Sequence, residues 1–539
     1  MKRALYSIST FCIGLLILSL PFASCNKEVL LGDDPYGGGR EPFGIAFTKN
    51  YAYPERAEPG SSVTFYVKGL KAYEGKFEFS ISETPVEIIA TTDSTIEVLL
   101  PEQISSGGAV IKMENQFFAG PTIYVEGNVS VDENFDIVNG FNGPVFDMLS
   151  QSGGNVVIGP FTDFENEASG TVYRNGIHFV NSLGKSDNTF NFQRGITGIA
   201  NSIAKQGDKY YIAGSINEYN RREVSNIVKL NANGMLDSTT VDVLNASPER
   251  PENGIDTVAS FNGGTLGGIG GGTFQSGTVN RIFPVSGNRL IAVGTFFFHK
   301  RIDYRFSTRE SRREIRTPVR NVMRLKEDGG LDSNYMINNA GANGSIMDAV
   351  IQEDEKLILA GVFTSFNGKA ANRIVRLNAD GSRDESFAVG TGPNGDISSI
   401  QYNQHLGKIV VTGMFTSFNG IPANGIVVMD RNGNIDPTFK LREVGEGNIW
   451  FAHMLNSGKI LVSHSWNLYD GVRRSNLLIL EPDGRAEQKY NNMGLFVGRV
   501  EKVLETTSSL GNPAILLGGS IFRAEGVNVG NIVKLEIKD

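Results

Sequence analysis

The chain has 539 residues, of which 40% are hydrophobic and 20% are charged, and its 50 basic and 58 acidic side chains give a formal net charge of −8. This balance argues against a disordered chain and against a nucleic-acid-binding protein, which would need a basic surface. Glycine is the unusual component, because its 64 residues make up about 12% of the chain against a usual 7%. Such an excess predicts many tight turns.

The N-terminus has the layout of a secretory signal. Lys2 and Arg3 form a basic start, and the apolar run 11–20 that follows is too short to span a bilayer as a mature helix. Both cysteines lie in this part of the chain, Cys12 inside the apolar run and Cys25 after it. The rest of the chain therefore has no disulfide framework and no thiolate metal site.

The residues before Cys25, Phe22-Ala23-Ser24, resemble the lipobox of bacterial lipoproteins. The resemblance implies removal of a signal peptide, residues 1–24, and acylation of Cys25, which would bind the membrane through lipid chains. A cysteine that follows an ordinary signal by chance is the alternative. Residues 25–41 are polar and rich in glycine, which predicts a flexible tether. Acidic residues in this tether resemble surface-export signals, so we expect an outer-membrane location that faces the cell exterior.

Residues 42–127 contain short runs of alternating apolar and polar side chains, separated by turns. Runs with a period of two predict an antiparallel β-sandwich. The order of turns and strands from Pro54 through Gly60 and Gly69 to Pro101 resembles the IPT/TIG family of immunoglobulin-like domains. The resemblance implies a spacer that holds a functional domain away from the membrane. A ligand-binding role for the sandwich itself is the alternative.

The remaining chain, residues 128–539, is a repeat array. The segments 357–368 and 409–420 lie 52 residues apart, and both end in Phe-Thr-Ser-Phe-Asn-Gly. The central residue of this phrase recurs in seven copies, as Gly159, Gly214, Gly294, Gly361, Gly413, His464 and Gly519. A second phrase with Asn-Gly or Asp-Gly, typical of a hairpin, follows in several copies. Seven hairpin repeats without a helical period predict a seven-bladed β-propeller, and the phrases resemble the delta-sixty repeats of that fold.

The end of the chain predicts how the propeller closes. The seventh repeat stops at Asp539 without the segment that follows the turn in other repeats. That segment stands at the front of the array, because 132–147 matches 332–348 with one residue of slack. We therefore expect an N-terminal strand to complete the last blade and leave no exposed edge. The predicted fold class is all-β, an immunoglobulin-like sandwich followed by a seven-bladed propeller that this strand closes.

Two insertions lie between the hairpin glycines Gly234 and Gly329. The first contains the glycine run 263–272, which predicts a flexible rim loop, since no strand-to-helix context supports a phosphate loop. The second, 299–320, has eight basic and three acidic side chains. It could dock an acidic polysaccharide, a lipopolysaccharide phosphate or an acidic protein; the alternative is a solvated hairpin whose arginines pair with nearby carboxylates. The candidate docking residues are Arg301, Arg305, Arg309, Arg312, Arg313 and Arg316.

The sixth repeat departs most from its siblings. His464 replaces a glycine, Trp466 replaces a phenylalanine, and Trp450 stands where the fifth repeat has Ser398. These are the two tryptophans of the protein, and flat aromatic faces suit the apolar faces of sugar rings. The alternative is that both indoles fill space between blades. The candidate ligand-binding residues are Trp450, His453, His464, Trp466 and Tyr469.

No catalytic apparatus follows from the sequence. The five histidines lack the spacing of a metal site, and no Gly-x-Ser-x-Gly elbow occurs, so no catalytic residue, metal or cofactor is predicted. The architecture resembles accessory glycan-binding lipoproteins of outer-membrane importers, which implies a non-catalytic protein with a polysaccharide ligand and a transporter complex as partner. A propeller glycoside hydrolase or lyase, and an adhesin or protein-interaction scaffold, are the alternatives.

Overall fold

The computed structural model describes residues 43–170, 172–187, 189–270, 272–335 and 340–538. The predicted signal peptide, Cys25 and the tether lie outside these residues. Residues 45–539 form one compact unit. Within its described part, short 3₁₀ helices occupy Lys71–Tyr73, Pro251–Gly254, Tyr304–Phe306 and Gln488–Tyr490, and the remaining regular structure is β-strand. The predicted all-β fold is therefore confirmed.

The first strands build a sandwich. They are β1 (Ala46–Tyr53), β2 (Arg56–Ala57), β3 (Ser62–Lys68), β4 (Glu78–Ile81), β5 (Thr84–Pro85), β6 (Glu87–Thr91), β7 (Thr95–Leu99), β8 (Gly107–Met113) and β9 (Gln116–Val125). One sheet has the order β1-β3-β7-β6 and the other β2-β9-β8-β4-β5. Alternate side chains of β3 are buried, and the rings of Phe65 and Phe79 meet 5.0 Å apart between the sheets. The period-two pattern thus produces the sandwich core.

Seven blades follow in the described chain. The strands up to the third blade are β10 (Val129–Val131), β11 (Asp147–Gln151), β12 (Gly154–Ile158), β13 (Ile177–Asn181), β14 (Ile196–Gln206), β15 (Lys209–Tyr219), β16 (Arg222–Glu223), β17 (Ile227–Leu230), β18 (Ser238–Asp242), β19 (Ile255–Ala259), β20 (Gly264–Gly270), β21 (Thr273–Ser276), β22 (Thr278–Val285), β23 (Arg289–Thr295), β24 (Phe298–Ile302), β25 (Glu314–Pro318) and β26 (Val322–Leu325).

The last four blades contain β27 (Ile346–Ile351), β28 (Leu357–Gly361), β29 (Ser365–Phe366), β30 (Lys369–Ala370), β31 (Ile374–Leu377), β32 (Ile397–Asn403), β33 (Lys408–Gly413), β34 (Ser417–Phe418), β35 (Ile421–Pro422), β36 (Ile426–Asp430), β37 (Ile449–Met454), β38 (Ile460–His464), β39 (Leu468–Tyr469), β40 (Val472–Arg473), β41 (Leu477–Leu480), β42 (Val497–Thr507), β43 (Pro513–Ala524), β44 (Val527–Asn528) and β45 (Ile532–Ile537). In each blade three main strands pair antiparallel in chain order, as β32-β33-β36 do in the fifth.

The blades form a closed ring. The first strand of each blade contacts the first strand of the next, and β42 of the seventh blade contacts β11 of the first. These innermost strands surround the central channel, and they are β11, β14, β22, β27, β32, β37 and β42. The second and third strands are almost fully buried, as the continuous apolar runs of the repeat require.

Strand β10 closes this ring. It pairs antiparallel with the C-terminal strand β45, and Val131 lies opposite Leu535. In the third blade Leu331 holds the same place opposite Leu325, so β10 supplies the outer segment that the last repeat lacks. The predicted closure is confirmed, with the pairing at 129–131. Next to it, the buried Asp132 carboxylate lies 3.7 Å from the buried Lys534 ammonium.

A carboxylate after the outer turn recurs around the ring. In blades 2 to 6 it pairs with the cation that begins or precedes the second strand, as Lys209–Asp237 (3.5 Å), Arg289–Asp332 (3.3 Å), Lys356–Asp384 (3.0 Å), Lys408–Asp436 (2.7 Å) and Lys459–Glu487 (3.0 Å). Burial opposes the ionisation of Asp384, but hydrogen bonds from Ser386 and Lys356 and the Arg376 charge outweigh it and hold its pKa far below the usual range. These pairs fasten the outer segment of each blade to the inner strands.

The two insertions combine into one additional sheet of order β21-β20-β24-β25. The glycine run is therefore strand β20, and the predicted flexible rim loop is wrong for residues 264–270. The second insertion supplies β24, the partner strand of β20, and about 30 residues of sequence lie between the two strands. A Cβ on Gly264 would lie 2.2 Å from Ser225, so this glycine permits close approach of backbones.

Replacement of Asp132 tests the closure. We expect Asp132→Ala to lower the free energy of unfolding by about 3–5 kcal/mol, because Lys534 then stays buried without a carboxylate. Asp136→Ala removes an exposed pair with Lys185 and should change the urea-unfolding midpoint little. Equal midpoints for the two variants would contradict the closing role of the Asp132 pair.

Acid titration tests the repeated carboxylates. Because the pKa of Asp384 is lower in the folded than in the unfolded protein, its ionised form stabilises the fold above about pH 4, and this contribution is lost as the pH falls below that value. We expect the thermal midpoint of Asp384→Asn to be lower at pH 7 and to fall less between pH 5 and pH 3 than that of the wild type. Parallel curves for the two proteins would refute this assignment.

Candidate ligand-binding site

Three of the five predicted ligand residues lie in the core of the sixth blade. Trp466 is only 3% exposed, and Tyr469 and His464 are fully buried. The Trp466 ring lies between them, 4.9 Å from His464 and 6.0 Å from Tyr469. Tyr469 donates its hydroxyl to the carbonyl of Gly484, as Tyr219 of the second blade does to Gly234. These side chains fill the blade, which fits the alternative that they pack its interior, and a contact with a ligand stays a prediction.

Trp450 occupies a different environment on the innermost strand β37. It is the bulged residue there and is partly exposed; its equivalents in blades 2, 3, 4, 5 and 7 are Asn201, Asn280, Met347, Ser398 and Glu501. The Asn280 amide donates to the Ile346 carbonyl of the next blade at 2.8 Å, so this layer joins neighbouring blades around the channel. His453 stands three residues further along, roughly 10 Å away. The five predicted residues therefore do not form one platform.

His453 lies beside an open depression of about 660 Å³ at the hairpin end of the channel. Burial lowers the pKa of His453 to about 4, so the ring is neutral at physiological pH. The Tyr402 hydroxyl lies 2.9 Å from both carboxylate oxygens of Glu353 on the same wall. Burial raises the pKa of Glu505, which also lines this depression.

The channel walls hold charges that are already paired. Lys502 of the seventh blade lies 2.8 Å from Asp147 of the first, and Arg281 lies 2.8 Å from Asp348 of the next blade. The second oxygen of Asp348 accepts a hydrogen bond from the backbone N–H of Ile400 in the blade beyond. These ion pairs and this hydrogen bond link neighbouring blades and stabilise the ring.

The arginine-rich hairpin 299–320 is also internally paired. Four of the six predicted docking arginines contact carboxylates: Arg301 with Asp328, Arg305 with Asp303, Arg312 with Asp256 and Arg316 with Glu314. Arg309 donates to the backbone carbonyl of Ile255, and Arg313 lies 4.7 Å from the centre of the Phe306 ring. This geometry fits the alternative of a solvated hairpin, and a docking role stays a prediction.

A cleft of about 700 Å³ separates the sandwich from blades 6 and 7. Direct hydrogen bonds fix its two walls: the N–H of Ser106 donates to the Asn492 carbonyl at 3.0 Å, and the Asn492 amide donates to the Ile104 carbonyl at 2.9 Å. At the rim, Glu83 of the sandwich pairs with Arg473 of blade 6 at 2.7 Å. The sandwich is thus docked on the ring and forms one wall of the cleft.

The cleft combines apolar and polar surfaces. Tyr124 from the sandwich is 44% exposed, and Leu495 and Val527 from the ring are 50% and 55% exposed. Polar residues also line it, namely Ser105, Ser106, Ser475 and Asn476. Three of them already donate to backbone carbonyls: Ser105 to Asn491, Ser106 to Asn492 and Asn476 to His464. Arg474 also lines the cleft and is 8% exposed.

Two family models match parts of the chain. One described as a domain of unknown function, DUF5008, matches residues 22–121, a range that ends within β9. Another, described as the DUF5122 beta-propeller, matches 206–239, 352–387 and 407–439. Each propeller match contains the second and third main strands of one blade, in blades 2, 4 and 5. The repeat phrases found in the sequence therefore mark propeller blades. No curated protein matches the chain in sequence.

Solved structures with some likeness to the chain include a protein of unknown function from Bacteroides thetaiotaomicron, with 9% identity, 93% of this chain and 98% of that chain covered, and a TM-score of 0.25. An auxiliary nutrient binding protein from Bacteroides ovatus has 9% identity, coverages of 92% and 98%, and a TM-score of 0.27. YCF48 from Cyanidioschyzon merolae has 10% identity, coverages of 74% and 96%, and a TM-score of 0.32. Likeness at this level carries no functional argument.

Two further findings concern the described residues. No helix among them is long and apolar enough to cross a bilayer. In the same residues, no group of three or more His, Cys, Asp or Glu side chains is placed to hold a metal ion.

Arg474 and Tyr124 line the cleft but are not among the candidate residues that the sequence indicates. A signal for Arg474 exists in the repeat, because the fourth and fifth blades have the small buried Ala371 and Ala423 at its position. Tyr124 has no such signal, since the alternation of buried and exposed residues along β9 indicates only that Tyr124 lies on the outer face of the strand.

Substitution of the two tryptophans tests their different environments. Trp466→Ala should lower the free energy of unfolding by about 3–5 kcal/mol because it empties a packed core position. Trp466→Phe, which copies Phe363 and Phe415 of the sibling blades, should restore most of that loss. Trp450→Ser, which copies Ser398, should cost less than about 1 kcal/mol in the same urea titrations. A larger loss for Trp450→Ser than for Trp466→Ala would contradict the placement.

Proposed function

We propose that this protein is a lipid-anchored surface protein that binds an oligosaccharide in the cleft between its sandwich and its propeller. In this role it serves, without catalysis, a nutrient uptake system such as an outer-membrane glycan importer. The observation that carries the binding function is the cleft of about 700 Å³ with its mixed lining.

The size and position of the cleft suit a small ligand. Ligand sites commonly measure about 300–1,000 Å³ and form at interfaces between domains. The exposed Tyr124 ring offers a flat face to a sugar ring, while the Ser475 hydroxyl can bond a sugar hydroxyl. Interdomain hydrogen bonds hold both walls in place, which reduces the ordering cost of binding.

The proposed location rests on the sequence. The lipobox before Cys25 supports acylation and attachment to a membrane, and the acidic tether supports display on the cell exterior. The likeness of 42–127 to IPT/TIG domains supports a sandwich that stands next to the anchor. In this proposal the sandwich has two roles, since it connects the ring to the anchor and forms one wall of the cleft.

The hydrolase alternative has one observation in its favour. The depression at the hairpin end of the channel brings Glu353 and Glu505 to one surface with Tyr402 and His405, and carboxylic acids serve glycosidases as acid and base. Product analysis of any bound glycan separates the two functions, because an accessory binding protein returns its ligand intact.

A glycan array with the purified protein tests the proposed function, followed by isothermal titration of the best ligand. We expect Tyr124→Ala to weaken binding about tenfold, because it removes the aromatic face of the cleft. Tyr51→Ala removes another exposed tyrosine of the sandwich and should leave the affinity unchanged. A blank array, or a full affinity for Tyr124→Ala, would refute binding in this cleft.

A further inference from the structure

Arg474 breaks the repeat at a position that is otherwise small and apolar. The equivalent residues in blades 2, 4, 5 and 7 are the buried Val224, Ala371, Ala423 and Val529. The sixth blade places a guanidinium there, next to His464, which itself replaces a repeat glycine. Burial and then the Arg474 charge lower the pKa of His464 to about 4, so this neighbour is neutral.

The guanidinium of Arg474 has few partners. One terminal nitrogen donates to the Gln103 side chain at 3.2 Å and the other to the Asn491 carbonyl at 3.4 Å, while Nε has no hydrogen-bond partner. No carboxylate among the described residues lies within 4.0 Å of it. Burial lowers the pKa of Arg474 to about 10, which leaves it charged at physiological pH.

Two other buried arginines of this ring each pair with a carboxylate. Arg324 lies 2.8 Å from Asp332, and Arg376 lies 2.8 Å from Asp384, with all four side chains buried. An uncompensated buried charge is strongly unfavourable, and because the buried Arg324 and Arg376 both have a carboxylate partner, the unpaired Arg474 suits an anion from outside the protein. The planar guanidinium fork suits carboxylates and other oxyanions.

The position of Arg474 indicates that such an anion would belong to a ligand of the cleft. Arg474 is among the residues that line the cleft between the sandwich and blade 6, and it also borders a smaller cavity with Tyr490 and Asn491. Of the carboxylates along this cleft, Glu83 is paired with Arg473, and Glu525 accepts a hydrogen bond from the N–H of Val131. Burial raises the pKa of Glu525.

We infer that the ligand of the cleft is an acidic oligosaccharide whose oxyanion pairs with Arg474. This inference rests on the proposed function and names its substrate class. The shared chemistry is an oxyanion on a sugar ring, and it has two sources, the carboxylate of a uronic acid or a sulfate ester.

The test is isothermal titration of the purified protein with three compounds: tri-galacturonic acid, its trimethyl ester and a sulfated galactose trisaccharide. We expect at least one of the two anionic compounds to bind about tenfold or more tightly than the neutral ester. Arg474→Ala, which copies Ala371 and Ala423, should remove that preference and leave the affinity for the ester within about threefold. Arg474→Lys keeps the charge without the fork and should retain part of the preference.

Arg383→Ala is the matched control, because it removes a partly exposed arginine of the distant fourth blade and should leave all three affinities unchanged. Thermal midpoints of the variants show whether each is folded. The inference is overturned if the wild type binds the ester as tightly as both anionic compounds, if it binds none of the three, or if Arg474→Ala keeps the preference. Binding of neutral glycans on the array with no anionic preference would overturn this inference alone, whereas a blank array would overturn the proposed function as well.

Discussion

The pairing of β10 with β45 is the constraint on which the architecture depends. It joins the two ends of the ring, and it also positions the sandwich, because three residues separate Val125 of β9 from Val129 of β10. Asn128 inside this connection donates to the Lys489 carbonyl at 2.6 Å and accepts from the N–H of Lys538 at 2.7 Å. The strand that closes the propeller therefore also places the sandwich over blades 6 and 7, and the cleft follows from that placement.

Repetition accounts for the stability of the ring, and the departures from it are of two kinds. The carboxylate pairs fasten the outer segment within each of blades 2 to 6, and the channel ion pairs join neighbouring blades, as Arg281 and Asp348 do. A residue that keeps the chemistry of its position, such as Trp466 in place of Phe363, keeps the structural role as well. A residue that reverses the chemistry, such as Arg474 in place of Ala371, has no structural equivalent in the siblings. This contrast is why we propose an oxyanion of the ligand as the partner of Arg474.

The fold was predictable from the sequence because the period of 52 residues, the hairpin turns and the displaced outer segment are all local patterns. The strand at 264–270 was not, since glycine-rich sequence alone does not reveal a partner strand contributed by a separate insertion. The burial of Trp466 and Tyr469 also exceeded what sequence could show, because an aromatic residue suits a core and a sugar platform equally well. The cleft depends on contacts such as Gln103 with Arg474, which are 371 residues apart and leave no local pattern.

Backbone hydrogen exchange with and without the best-binding glycan tests the central claim that the ligand occupies the cleft. The account predicts slower exchange on both walls, in the segments 105–108, 474–476 and 494–497, and unchanged exchange in the arginine-rich hairpin 299–320. Protection confined to that hairpin or to the channel-lining strands, with no change on the walls of the cleft, would contradict it.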